Sequence, residues 1–320
     1  MRRLIVLGVI IFLVFGVSSV WAQKPVRLSI VTGGTGGVYY PMGGGMASIL
    51  SKYIPYVEAT AEVTTASVDN CRLLERRKAD LAFTMADTAW DAYQGRAQFK
   101  EKVPLRTVTV LYPNNMHLVT IEGKGIEKVT DLKGKRVSTG APGSGTEIMA
   151  LRVLEAYGLD PNKDMSRDKL GVSESAGALK DKKIDAFFWV GGIPTAAVID
   201  LAATPGVKIK LIAHGEVVSK MRERYGPIYI KWNIPSKTYP GQDAEVPIAV
   251  VWNILVCHER MQGDLAYDIV KNLFDHKPEL VAVHREARFL SFESQAGGGS
   301  PIPFHPGAIR YFTEKGLKIK

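Results

Sequence analysis

The chain has 320 residues, 41 Lys and Arg against 32 Asp and Glu, 46% hydrophobic residues, 31 Gly and only 2 Cys. That length carries one large or two medium domains, and a charged fraction of 23% spread among apolar residues excludes a disordered chain. Two cysteines exclude a disulfide scaffold and a Cys-rich metal site, and the diffuse net charge of +9 holds no like-charge block that would make a nucleic-acid tail.

The chain opens on Arg2-Arg3, an apolar run from Leu4 to Val17, and the small residues Ser18, Ser19 and Ala22. That order predicts a secretory signal peptide over 1–22, shorter than the roughly 20 apolar residues of a bilayer span. Ala at position 22 rather than Cys closes the lipoprotein route. The expected location is periplasmic, a space poor in nucleotide cofactors. The later apolar stretch Val246 to Cys257 holds Pro247 and Asn253 and reads as a buried strand. Cys71 and Cys257 either pair in an oxidising compartment or remain two separate buried thiols.

One pattern occurs twice. Val26 to Val31 reads as a strand, Thr32 to Gly37 as a Gly-rich turn, and Val38 to Lys52 as a helix. Gly134 to Ser138, Thr139 to Thr146 and Glu147 to Tyr157 repeat that order. Each unit then continues into a helix end and a strand, Leu73 to Phe83 in the first and Ala178 to Phe188 in the second. Helix starts follow at Asp87 and at Pro194, the latter suited to a first helical turn. Strands alternating with helices predict parallel sheets, whose ligands sit beyond the carboxyl ends of the strands. If the two units face each other, four helix N-termini point into one cleft, and each is an anion site.

The Gly-rich turns fail three enzyme motifs. Gly140 to Gly145 has P-loop spacing, but Thr146 stands where Lys is required. Gly33 to Gly37 lacks the third glycine of a dinucleotide fingerprint, because Tyr39 occupies it. Ser144 lacks the nucleophile-elbow frame, since position 142 is Pro. The 6 histidines show no metal spacing, so neither a metal nor a cofactor is expected. Tyr39, Tyr112 and Trp189 read equally as core aromatics or as ligand contacts.

Thr32-Gly33-Gly34-Thr35-Gly36-Gly37-Val38-Tyr39-Tyr40-Pro41, Ser67-Val68-Asp69-Asn70, Leu111-Tyr112-Pro113, Gly143-Ser144-Gly145-Thr146, Gly191-Gly192-Ile193-Pro194, Pro240-Gly241-Gln242 and His305-Pro306-Gly307-Ala308 follow in order. This set resembles the TAXI family, solute receptors of TRAP (tripartite ATP-independent periplasmic) transporters. The resemblance implies a two-lobed, type II periplasmic binding protein with two crossings and the ligand cleft between lobes. It further implies a monomer that closes on a dicarboxylate or an acidic amino acid, such as glutamate or 2-oxoglutarate. The membrane subunits of an ion-gradient-driven permease would be its partners. Carried over by motif, Gly33, Thr35, Gly36, Val38 and Tyr39 line the first lobe, with Ser67 and Asn70 at the next turn. Gly143, Ser144, Gly145 and Thr146 cradle a carboxylate in the second, near Gly191 and Gly192.

Met85-Ala86-Asp87 departs from the family's small polar residue before the Asp, and Trp189 narrows the pocket. Asp87 binds an ammonium or caps its helix. The lobes are expected at 23–114 with 251–320, and at 115–250. Lys231 to Val246 is expected as an irregular excursion, Leu265 to Val283 as helix broken at Pro278, and Ala308 to Gly316 as the last helix. A sulfonate or phosphonate receptor of an ATP-driven ABC importer is the alternative on the same fold. A dehydratase-like enzyme, for which Asp87 is the one candidate acid or base, and a sensor for a two-component kinase are further readings.

Overall fold

The computed structural model describes residues 25–319, so the expected signal peptide at 1–22 lies outside them. In chain order the elements are β1 (Val26–Val31), α1 (Tyr39–Tyr53), β2 (Val57–Glu62), α2 (Ser67–Glu75), β3 (Leu81–Met85), α3 (Ala86–Gln94) and β4 (Leu105–Ile121). Then come β5 (Arg136–Ser138), α4 (Gly145–Ala156), β6 (Ser166–Asp168), α5 (Val172–Lys180), β7 (Ala186–Gly191), α6 (Ala196–Ala202), β8 (Ile209–Leu211) and α7 (Val218–Tyr225). The chain returns through β9 (Ile230–Ile234) and β10 (Val246–His258), and finishes with α8 (Gly263–Asp275), α9 (Lys277–Val283), α10 (Phe292–Ala296) and α11 (Pro306–Glu314).

The strands of the described residues form one sheet in the order β2-β1-β3-β10-β4-β7-β5-β6, with β8 on β4 and β9 on β10. β1 is parallel to β2 and β3, and β5 is parallel to β6 and β7, which gives each half a strand-helix-strand unit. β4 and β10 are antiparallel neighbours that run through both halves. The amino end of β4 pairs with Ile254–His258, and its carboxyl end pairs with β7. Between them Pro113 faces Trp252, and the register shifts between Trp252 and Ile254 and again between Leu255 and Val256. Proline has no N–H for the ladder and a bulge bends its strand, so the pairing of β4 and β10 is interrupted here.

One apolar cluster, including Ile30, Phe83, Leu255, Leu273 and Phe312, fills the half that carries both ends of the described residues. Two further clusters, around Met149, Phe188 and Met221 and around Phe187, Val198 and Tyr239, fill the other. Cys71 and Cys257 are both buried and free, and burial pushes both thiols up, Cys71 to about 12.

Three expectations need correction. Lys231 to Val246 is not wholly irregular, because Ile230–Ile234 adds a strand to the edge of β10. The helix over 265–283 breaks at His276, one residue before Lys277 and Pro278 begin α9. The last helix starts at Pro306 with His305 as its cap, whose Nδ1 accepts from the Gly307 N–H at 3.2 Å.

Candidate functional site: an interlobe cavity ringed by helix starts

A cavity of about 370 Å³ lies between the two halves, at the carboxyl ends of the parallel strands. Four helix starts reach it, at Tyr39 (α1), Ser67 (α2), Gly145 (α4) and Val172 (α5). The expectation of four converging N-termini therefore holds in number but not in identity. The start of α3 packs into the core of the other half through Ala86, and α6 begins beyond the Ile193-Pro194 turn.

The lobes touch around this cavity. The Val68 and Asp69 N–H groups donate to the Gly143 carbonyl at 3.1 and 3.2 Å, and the Ala197 N–H donates to the Gly36 carbonyl at 3.4 Å. The Trp189 ring lies over Gly37, where a Cβ would stand 2.9 Å from it. On the far side Arg285 Nε donates to the Ile193 carbonyl at 2.9 Å, and His284 Nε2 donates to the Pro194 carbonyl at 3.3 Å. Gly143 has φ +78°, a left-handed conformation that glycine adopts without strain and that aims its carbonyl at α2.

Of the residues proposed from sequence, Gly33, Thr35, Gly36, Val38 and Tyr39 line the cavity from the first Gly-rich turn. Ser67 and Tyr112 line its floor, and Ser144, Gly145, Thr146, Trp189 and Gly191 line the opposite wall. Asn70, Asp87, Gly143 and Gly192 lie behind this surface. Asn70 is a buried pin: its amide donates to the Thr32 and Phe83 carbonyls, each at 2.7 Å, and accepts from Thr64 Oγ1 at 2.6 Å. Gly192 packs on the far side, where a Cβ would stand 3.0 Å from Glu286 and 3.1 Å from Tyr112.

Asp87 is fully buried and faces away from the cavity. Its carboxylate accepts from Tyr229 OH at 2.8 Å and lies 3.3 Å from Arg152 Nη1, while Arg152 also pairs with Asp91. Burial pushes its carboxyl upward against the pull of Arg152 and Tyr229. The carboxylate does not cap α3 in the usual sense, since among the helix's own N–H groups it accepts from that of its neighbour Thr88, at 2.7 Å, and from no other.

The donors that remain are specific. Gly145 and Thr146 occupy the first positions of α4, so their N–H groups have no intrahelical acceptor. Ser144 Oγ is consumed as the cap: it accepts from the Glu147 N–H at 3.1 Å and donates to the Ala141 carbonyl at 2.7 Å. Thr146 Oγ1 accepts from the Val190 N–H at 3.2 Å and keeps its own hydrogen. Ser67 Oγ likewise accepts from the Met85 N–H at 3.2 Å. In α1, Pro41 falls in the first turn, where an N–H would be unpaired in any case. Tyr39 OH donates to Asn253 Oδ1, and burial raises its pKa, so it stays a neutral phenol.

Sequence reasoning missed Val63 to Ala66, Met85, Gly140, Ala141 and Leu170 to Glu174, all of which line the cavity. The rule that ligands sit beyond parallel strands would have found the first set after β2 and the last after β6. No His, Lys, Arg or Cys lines the cavity among the described residues, and Glu174 is its one charged side chain.

Two lobes built on parallel strands, joined by two shared antiparallel strands and closed over an interlobe cavity, define the type II periplasmic binding protein fold. The chain belongs to the NMT1-like family, which matches residues 30–316. Among solved structures it is similar to a binding protein component of a phosphonate ABC transporter from Pseudomonas aeruginosa (12% identity, 84% of this chain and 80% of that one, TM-score 0.53). It is also similar to the alkanesulfonate-binding protein SsuA from Xanthomonas axonopodis bound to MOPS (17% identity, 91% and 85%, TM-score 0.50). The aliphatic sulphonate binding protein SsuA from Escherichia coli matches at 15% identity over 91% of each chain, with a TM-score of 0.47.

Proposed function

We propose that this protein is an extracytoplasmic receptor that captures a small organic anion by closing its lobes and presents it to a membrane transporter. The observation that carries this reading is the interlobe cavity with helix N-termini at its wall, where unpaired N–H groups and the helix dipoles favour negative charge. Closure removes water and strengthens those hydrogen bonds, and no covalent step is needed. A dehydratase-like role lacks its acid or base, because Asp87 is buried in an ion pair outside the cavity and Glu174 is exposed at the rim.

For the transporter, we favour the ATP-driven importer. The solved structures that share the fold include a protein described as a binding component of a phosphonate ABC transporter, beside one described as an alkanesulfonate-binding protein. The ion-gradient-driven TRAP permease rests on the sequence resemblance alone. The genes beside this one separate the two: an ATPase subunit supports the importer, and large ion-coupled permease subunits support the TRAP reading. The receptor reading itself is tested by a thermal-shift screen of sulfonates, phosphonates, carboxylates and amino acids on the purified protein. Binding to the folded state raises the melting temperature by mass action. If no organic anion stabilises the protein, the reading fails.

A further inference from the structure

Resting on the lobe closure of that reading, we propose that Glu286 makes closure proton-dependent: its carboxyl sits in the seam between the lobes, is neutral while they are together, and opens them when it ionises.

Three consecutive residues of one lobe meet three of the other on the far side of the cavity. His284 and Arg285 donate to the Pro194 and Ile193 carbonyls, and Gly192 lies on the Glu286 side chain, where a Cβ would stand 3.0 Å from its Cγ. The 192–194 turn follows directly on β7, whose last residue Gly191 pairs with Asn115 of β4. Asn115 in turn faces Val250 of β10, so the seam lies beside the two strands that the lobes share.

Glu286 is fully buried, and neither carboxyl oxygen has a hydrogen-bond partner among the described residues, although the Ile193 N–H of the other lobe faces them. Buried polar groups are nearly always bonded, and a buried charge without a bonded partner is costly. The closed lobes therefore hold the acid protonated, and burial pushes it up from 4.5 to about 7. Water that enters as the 192–194 turn moves off removes the cost of the charge.

The groups around the carboxyl do not cancel this. Arg285 spends its Nε on the Ile193 carbonyl, and Arg288 Nη2 stands 4.0 Å from Oε1 on a side chain more than half exposed, where solvent screens it. Tyr112 of β4 and Tyr239 of the other lobe are phenols whose pKa burial raises, so both stay neutral. His284 acts in the opposite sense. Its Nδ1 accepts from the Glu286 N–H at 3.2 Å while Nε2 donates to Pro194, which requires the neutral ring, and burial lowers its pKa. Acid thus works against closure through His284 and for closure through Glu286, and neutral variants of Glu286 separate the two.

The contribution of Glu286 to closure is fully present below pH 4.5 and is lost as the pH rises through 7. With 4.5 for the open form and 7 for the closed form, the closed-to-open ratio falls about tenfold between about pH 6 and about pH 8.5. Small-angle X-ray scattering of the solute-free protein at those two pH values reads the ratio in the wild type, Glu286→Gln and Glu286→Leu, and a melt of each variant shows that it is folded. The wild type is expected to be compact at the lower pH and to expand at the higher one, while both variants stay compact at both. A wild type whose dimensions do not change with pH, or variants that expand as it does, overturns the inference and leaves the receptor reading standing. The measurement uses no solute, so failure of the solute screen removes the receptor reading without altering this result.

Discussion

Gly145→Ala tests whether solute binding depends on the lobes meeting at close range. Gly145 opens α4 in one lobe, and a Cβ there would stand 2.8 Å from Ser67 Oγ and 3.1 Å from Ser67 Cβ in the other, with the Met85 sulfur closer still. Ser67 and Met85 are themselves buried and have little room to retreat. Gly145 does not need a left-handed backbone, so alanine suits it within its own lobe. The penalty therefore falls on the closed arrangement. Overpacking of this kind costs about 1–3 kcal/mol, which corresponds to a roughly fivefold to hundredfold weaker affinity. Calorimetry with the tightest ligand from the screen measures it, and a melt without ligand shows whether the lobes stay folded. Gly44→Ala is the control, because nothing lies within 4 Å of a Cβ at that helical position. An unchanged dissociation constant in Gly145→Ala, with Gly44→Ala also unchanged, would refute the claim that this contact belongs to the liganded state.

Arg152→Met strands Asp87 without its cation and leaves Asp91 only Arg96 at 3.9 Å, and loss of one partner of a buried ion pair costs about 3–5 kcal/mol; urea unfolding measures it. Glu286 is buried, and burial raises its carboxyl from 4.5 to about 7. The folded state thus holds that proton more tightly than the unfolded chain, so the contribution of Glu286 to stability is fully present below pH 4.5 and is lost as the pH rises through 7, a change of about 3 kcal/mol. Glu286→Gln is expected to remove that fall in urea midpoints taken between those pH values. His117 and His214 act with the opposite sign: burial lowers each from 6.5 to about 4, so their contribution is present above pH 6.5 and lost as the pH drops through 4. Replacing His117 with Gln is expected to flatten the acid limb of the same titration. Cys71 and Cys257 are buried, with thiols held in the protonated form, so mass spectrometry is expected to find iodoacetamide adducts only after denaturation.

The two Gly-rich turns were legible because glycine clustering after a strand and before a helix has few structural causes, and both turns reach the cavity. Of the two long shared strands, β10 was legible as the apolar stretch from Val246 to Cys257, although the Pro113 and Ile254 irregularities depend on which residues face each other. The contributions of α2 and α5 were not. Thr64-Thr65-Ala66 carries no glycine signal, and Ala66 takes φ +83° on its own, a conformation that alanine seldom adopts. Asn70 and Asp87 are polar residues near strand ends, and composition cannot say whether such a residue faces the cleft or a network behind it. Burial sent Asn70 to the carbonyls of β1's end and β3, and gave Asp87 to Arg152. The strand Ile230–Ile234 alternates apolar and polar residues, a short signal masked by the Pro- and Gly-rich segment that follows it, and it pairs with the edge of β10.

Because β4 and β10 lie side by side and antiparallel, the chain leaves and re-enters the half that carries β1 and α11 at neighbouring points, with Asn114 opposite Val251 and Asn115 opposite Val250. The intervening half is thus a loop insertion in a genetic sense. A tight two-residue turn placed across that pair would close the remaining strands into an ordinary hairpin. Excision of this kind is expected to leave a single module with the core around Phe83, Leu255 and Phe312 and without one whole jaw of the grip, which circular dichroism of the shortened chain would check.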